Sequence, residues 1–201
     1  MLAAQSHRDP AGDHNLLSHD LLVLEEMVAR MPDYFVSEAT RWDMGKDRPP
    51  LTIGGYLMRR RRLALLAEQL EAAEHERLTA ANRRYDDLIA GRSVRYESRL
   101  SAEIGEQLRE WTVYLRDLVA SSRLAADQPH YIYKSDSRVV IDELMTALGP
   151  RLSTHMIADM VALDHRLRAR WQPGAFIWAA VWQPAYPAER YWWLYGYPAA
   201  R

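Results

Sequence analysis

Between Glu74 and Ala120 the chain contains no proline. Over that stretch Tyr85, Ile89, Tyr96, Leu100, Ile104, Leu108, Trp111, Leu115 and Leu118 keep helical spacing. From Leu100 on, their steps of four and three residues approach a heptad. A continuous helix of this length would be about 70 Å long at 1.5 Å per residue. That exceeds the diameter of a compact domain, so such a rod must bend, protrude or meet a second chain. Gly91 is its weak point, because an interior glycine costs a helix about 1 kcal/mol. The segment from Gly91 to Ser93 is therefore where a kink is expected.

The flanking sequence is also helical in pattern. Leu17, Leu21, Leu24, Met27 or Val28, and Met31 make one apolar stripe, and Pro32 is expected to end it. Asp33 can cap a short second helix with Phe35, Ala39 and Trp42 on one face. Met44 to Pro50 reads as a loop. Thr52 is the N-cap expected for the next helix, whose stripe is Ile53, Tyr56, Leu57, Leu63, Ala67 and Leu70. Residues 127–134 read as extended chain after Pro129. Ser135 or Asp136 then caps a helix stopped by Gly149 and Pro150. Ser153 or Thr154 caps the last helix, with Ile157, Met160, Leu163 or Asp164, Leu167 and Trp171 inward.

The last 30 residues differ in kind. Four of the seven tryptophans lie there and a fifth, Trp171, immediately precedes them, while six prolines and glycines between Pro173 and Pro198 forbid a long helix. Only Glu189 and Arg190 are charged between Gln172 and Ala200. A segment so rich in rings is too apolar to stay in water and is expected to lie across the helices. The sequence thus predicts an all-α fold: a bundle of about six helices, one of them very long, with an irregular aromatic and proline-rich tail packed on it. The expected division is a loose arm at 1–13, a helical body at 14–171 and the tail at 172–201.

Composition excludes several classes of function. There is no cysteine, hence no disulfide, thiolate metal site or cysteine nucleophile. No apolar run approaches the 18 or so residues of a membrane span. The stretch Leu16 to Leu24 is broken by Ser18, His19 and Asp20, unlike a signal peptide, so a cytoplasmic location is expected. The net charge of -1 argues against a dedicated nucleic-acid binder. Charge nonetheless alternates along the chain, as in helices that pair with one another or with a partner. Of the basic residues only Lys46 and Lys134 are lysines; the rest are arginines, which can grip carboxylates through two parallel bonds.

Three sets of residues are candidate sites. Thr52, Gly54 and Gly55 offer amides at a helix N-terminus, with Arg59 one turn on, which suits an anion. Arg60, Arg61 and Arg62 follow, but four consecutive helical residues cannot all face one ligand. His14 and His19, with His155 and Asp159 one turn apart on another helix, form the nearest approach to a metal site. Trp178, Trp182, Trp192 and Trp193 are the residues of the tail suited to an interface. Arg83, Arg84, Arg92, Arg95 and Arg99 would serve a nucleic acid, although Asp86, Asp87 and Glu97 interrupt them. Glu143 stands out as a carboxylate on an apolar stripe, where it needs an arginine partner or a raised pKa.

No Gly-x-Ser-x-Gly, Gly-x-Gly-x-x-Gly or His-Glu-x-x-His pattern occurs, and no cofactor is expected. The leading expectation is a non-enzymatic helical protein acting through a protein partner or as a homo-oligomer. A metal-dependent or ligand-binding bundle enzyme is the alternative. Arginine-mediated binding of an anion or nucleic acid is the third.

Overall fold

The computed structural model describes residues 10–120 and 128–199. Most of the expected N-terminal arm lies outside them, and from Pro10 the chain is already helical. Six α-helices follow in order: α1 (Pro10–Val36), α2 (Ile53–Leu65), α3 (Ala72–Ala90), α4 (Ser93–Ala120), α5 (Gln128–Leu148) and α6 (Thr154–Arg168). Two short strands, β1 (Trp171–Phe176) and β2 (Tyr195–Pro198), close the chain as an antiparallel pair. The all-α bundle with an aromatic tail is what the sequence predicts.

The proline-free stretch is helical on both sides of Gly91 but divided there into α3 and α4. At 28 residues, α4 is the longest described element.

The short helix α2 is the centre of the molecule. It packs on α1 and α3 on one side and on α4 and α5 on the other, while α6 lies against α4. Thr52 caps it as expected, its Oγ1 accepting the Gly55 amide at 2.9 Å. Ile53, Tyr56 and Leu63 are buried, and so are Gly54 and Gly55. A methyl group at Gly54 would stand 2.5 Å from Val140 Cγ1, so this glycine lets α5 approach.

Three expectations are corrected. Pro32 does not end α1, because Tyr34 and Phe35 continue the buried stripe beyond it. Pro32 itself sits on the exposed face of the helix. The end of α1 is instead held by Arg99 of α4. Its guanidinium donates to the carbonyls of Tyr34, Ser37 (2.8 Å) and Ala39 (3.1 Å) and stacks on the Tyr34 ring. No second helix follows. Asp33 and Phe35 belong to α1, and Trp42 pairs through its backbone with Leu51, closing the 43–50 loop. Residues 128–134 are helical rather than extended. Pro129 falls in the first turn of α5, where its missing amide hydrogen costs nothing. Burial of Tyr131, whose hydroxyl donates to the Trp193 carbonyl at 2.6 Å, fixes that turn against the tail.

The tail lies down on α2, α5 and α6. Val181, Trp182, Tyr186, Tyr191, Trp193 and Leu194 are buried. Arginines receive the rings: Arg62 lies over Trp182 at 4.2 Å, Arg138 over Trp193 at 4.0 Å and Arg168 over Trp192 at 3.8 Å. Gly196 has φ 138°, and a side chain there would collide with the Gln172 carbonyl oxygen of β1.

Candidate functional site

The amides at the start of α2 are already taken by a carboxyl group of the protein itself. Glu103 of α4 accepts from Ile53 N and Gly54 N, each at 2.9 Å. Its carboxyl group is buried, and burial pushes its pKa up to about 7 against the opposing pull of those amides. Arg59 turns away from this position. Its Nη1 donates to the Gly55 carbonyl at 2.9 Å, and its Nε lies 3.1 Å from Asp20.

The other three arginines of the run are partnered as well. Arg62 grips Asp20 of α1 through two parallel bonds, its Nε 2.6 Å from Oδ2, and both residues are buried. Arg60 pairs with Asp86 of α3. Arg61 donates to the Ala185 carbonyl at 2.7 Å and stands 3.5 Å from Glu143. Glu143 is buried rather than at the edge of its stripe, and Arg61 is its arginine partner. Burial raises the Glu143 pKa to about 7, while Arg61 pulls the other way. These contacts join α1, α3, α5 and the tail to α2 and occupy the four arginines.

The metal candidates are not brought together. His14 lies 3.8 Å from Glu71 and from Glu74, and His19 stands beside Arg48. His155 pairs with Asp159 at 3.4 Å on the outside of α6. Among the described residues no group of three or more histidines and carboxylates could hold a metal ion. Of the four tryptophans, Trp182 and Trp193 are buried and Trp178 and Trp192 are half-buried. Trp178 donates its indole N–H to Ser135 Oγ at 2.8 Å. In the arginine-rich middle, Arg99 is engaged in capping α1, and Arg95 reaches Val36 and Glu38. Arg83 and Arg84 face solvent on α3.

A cleft that sequence reasoning did not single out remains open. It has a volume of about 780 Å³ and lies between the C-terminal half of α4 and the first turns of α5. Its α4 wall is made by Arg109, Glu110, Val113, Tyr114, Asp117 and Leu118. These positions form two neighbouring rows at steps of four residues, which is how one face of a helix presents itself. The α5 wall carries His130 and Lys134, and Arg41 closes one end.

The charges of this cleft are unequally matched. Arg41 binds Glu106 (3.2 Å) and Glu110. Partial burial depresses the Arg41 pKa, but those two carboxylates lift it above its ordinary value. Asp117 is paired with Arg116 at 3.2 Å. Arg109 and Lys134 pair with no carboxylate among the described residues. The Lys134 ammonium lies 5.7 Å from the centre of the Tyr133 ring. Val113, at 46% exposure, and Tyr133, at 71%, are among the large apolar side chains left to solvent.

Comparison with known proteins adds nothing to this geometry. No protein-family model, curated protein or solved structure matches the chain. The spacing of the α4 rows was visible in the sequence. Which cations would lack a carboxylate was not, because that depends on contacts among the 39–42 loop, α4 and α5.

Proposed function

We propose that the protein works by binding a small anionic ligand in the α4–α5 cleft. The observation that carries this reading is the pair Arg109 and Lys134, two cations without a carboxylate partner in a molecule whose buried arginines are paired. A concave site of several hundred cubic ångströms, part apolar and part charged, has the size and make-up of ligand sites in general. A carboxylate between a guanidinium and an ammonium gains charge-assisted hydrogen bonds worth about 1.5–3 kcal/mol each when sheltered from water.

The test is calorimetric titration with hexanoate, inorganic phosphate and hexylamine. The acids are expected to bind and the amine to give no heat. The double substitution R109Q/K134Q should weaken acid binding at least tenfold without altering the fold, since Arg109 is exposed and Lys134 is partly so. Binding of the amine as tight as that of the acids, or binding untouched by the double substitution, would end this reading.

A protein partner is the second reading. It is favoured by Ile157 and Val161, one turn apart on α6 and about half exposed. Light scattering tests its self-association form. A monomer at high concentration counts against it.

A further inference from the structure

The cleft has a direction. Glu103 of α4 and Val140 of α5 both stand at Gly54. Eleven residues on along α4 and ten back along α5, the rings of Tyr114 and His130 meet edge-on at 5.2 Å. The two helices therefore run antiparallel in steady register. That register brings Lys134 level with Glu110, beside Arg109. The positions of the two unmatched cations thus fall at one end of the trough, and Glu110 does not offset them because Arg41 already holds it. Toward the other end the lining becomes Val113, Tyr114 and Leu118, with the His130 ring edge-on to Tyr114, and the carboxylate there, Asp117, is turned to Arg116.

A site with cations at one end and apolar side chains at the other discriminates among anions. Inorganic phosphate would satisfy only the first end and would leave the half-exposed Val113 in water. A ligand with its charge at one terminus and an unbranched apolar body would fill both. Resting on the anion-binding reading above, we infer that the ligand is a carboxylate-headed amphiphile. Its head lies between Arg109 and Lys134, and its chain runs along Val113 and Tyr114 toward Leu118. From the level of Glu110 to Leu118 is about 12 Å at 1.5 Å per helical residue. An extended chain of about ten carbons spans that length.

The experiment is a titration series of straight-chain acids from butanoate to tetradecanoate, each below its micellar concentration, into wild type, V113Q and R109Q/K134Q. Wild-type affinity is expected to rise about two- to fourfold per added carbon, as for methylenes passing from water to a mostly apolar lining. It should level off near ten carbons. V113Q, a change at a half-exposed position, should flatten the rise while leaving butanoate binding unchanged. R109Q/K134Q should weaken every acid by a similar factor.

Acids that bind with no dependence on chain length would overturn the inference and leave the anion-binding reading standing. If neither the acids nor phosphate bind, both fall. A synthetic acidic helical peptide forms the last arm. If it binds at Arg109 and Lys134 while decanoate does not, the amphiphile is excluded and the site belongs to a protein partner.

Discussion

Substituting Gly54 by alanine tests how closely α2, α4 and α5 are drawn together. Alanine is the better helix former, and at an unobstructed position the change stabilises a helix by about 1 kcal/mol. At Gly54 the new methyl would stand 2.5 Å from Val140 Cγ1, and 2.9 Å from both Glu103 Oε1 and Leu144 Cγ. All three belong to buried side chains on two different helices, so none can swing into solvent. Relief requires α5 to retreat from α2 or Glu103 to leave its amides. Overpacking of this kind costs about 1–3 kcal/mol, and disturbing a buried carboxylate adds to it, so G54A is expected to destabilise by about 2–4 kcal/mol.

The control is G105A. Gly105 lies in α4, and the nearest atom to its added methyl is Arg109 Nη1 at 3.5 Å, the end of a flexible side chain. G105A should be neutral or stabilise by up to about 1 kcal/mol. For a chain of this size each kcal/mol moves the midpoint of thermal unfolding by about 2–4 °C. The two variants should therefore melt at least about 4 °C apart, with G105A higher. Equal midpoints, or G54A above wild type, would refute the close approach of the three helices at this position.

Three further outcomes follow from the same contacts. D20N removes half of the buried Asp20–Arg62 pair and leaves a desolvated guanidinium, so urea unfolding should show a loss of about 3–5 kcal/mol. T52V deletes the acceptor for the Gly55 amide and should cost about 1–2 kcal/mol in the same assay. Glu103 and Glu143 both titrate near 7 when folded, above the ordinary carboxylate value of 4.5, so the native state holds these protons more tightly than the unfolded chain. Stability contributed by each is present below pH 4.5 and is lost as pH rises toward 7, by an amount on the order of 3 kcal/mol. Urea midpoints at pH 5 and pH 8 check the sign. The double substitution E103Q/E143Q should flatten the difference, and a midpoint that climbs over this range contradicts the assignment.

Much of the fold was legible because it depends on local chemistry. The stripes of α1 and α4, the caps at Thr52 and Ser153, and the weak point at Gly91 are all written within a few residues of where they act, although the expected kink there is a division into two helices. The tail was legible by exclusion, since such a density of rings has to be covered. The misreadings share a physical cause, which is a distant side chain supplying what the local sequence lacks. Pro32 fails to stop α1 because the helix ends later, on Arg99, a residue of α4. Pro129 does not force extended chain, because Tyr131 anchors the first turn of α5 to Trp193. The anion-binding look of Thr52, Gly54 and Gly55 was chemically sound, but Glu103 comes from 49 residues away to Gly54. The cleft lay beyond reach for the same reason. Arg109 and Lys134 share a cleft because α4 packs on α5, a juxtaposition that no local pattern announces.

Hydrogen–deuterium exchange with and without decanoate tests the location of the site most directly. Exchange is expected to slow in residues 109–118 of α4 and 128–135 of α5, and to stay unchanged at the N-terminus of α2, where Glu103 already occupies the amides. Slowed exchange at residues 52–56, or none in α4 and α5, would contradict the placement of function in the cleft.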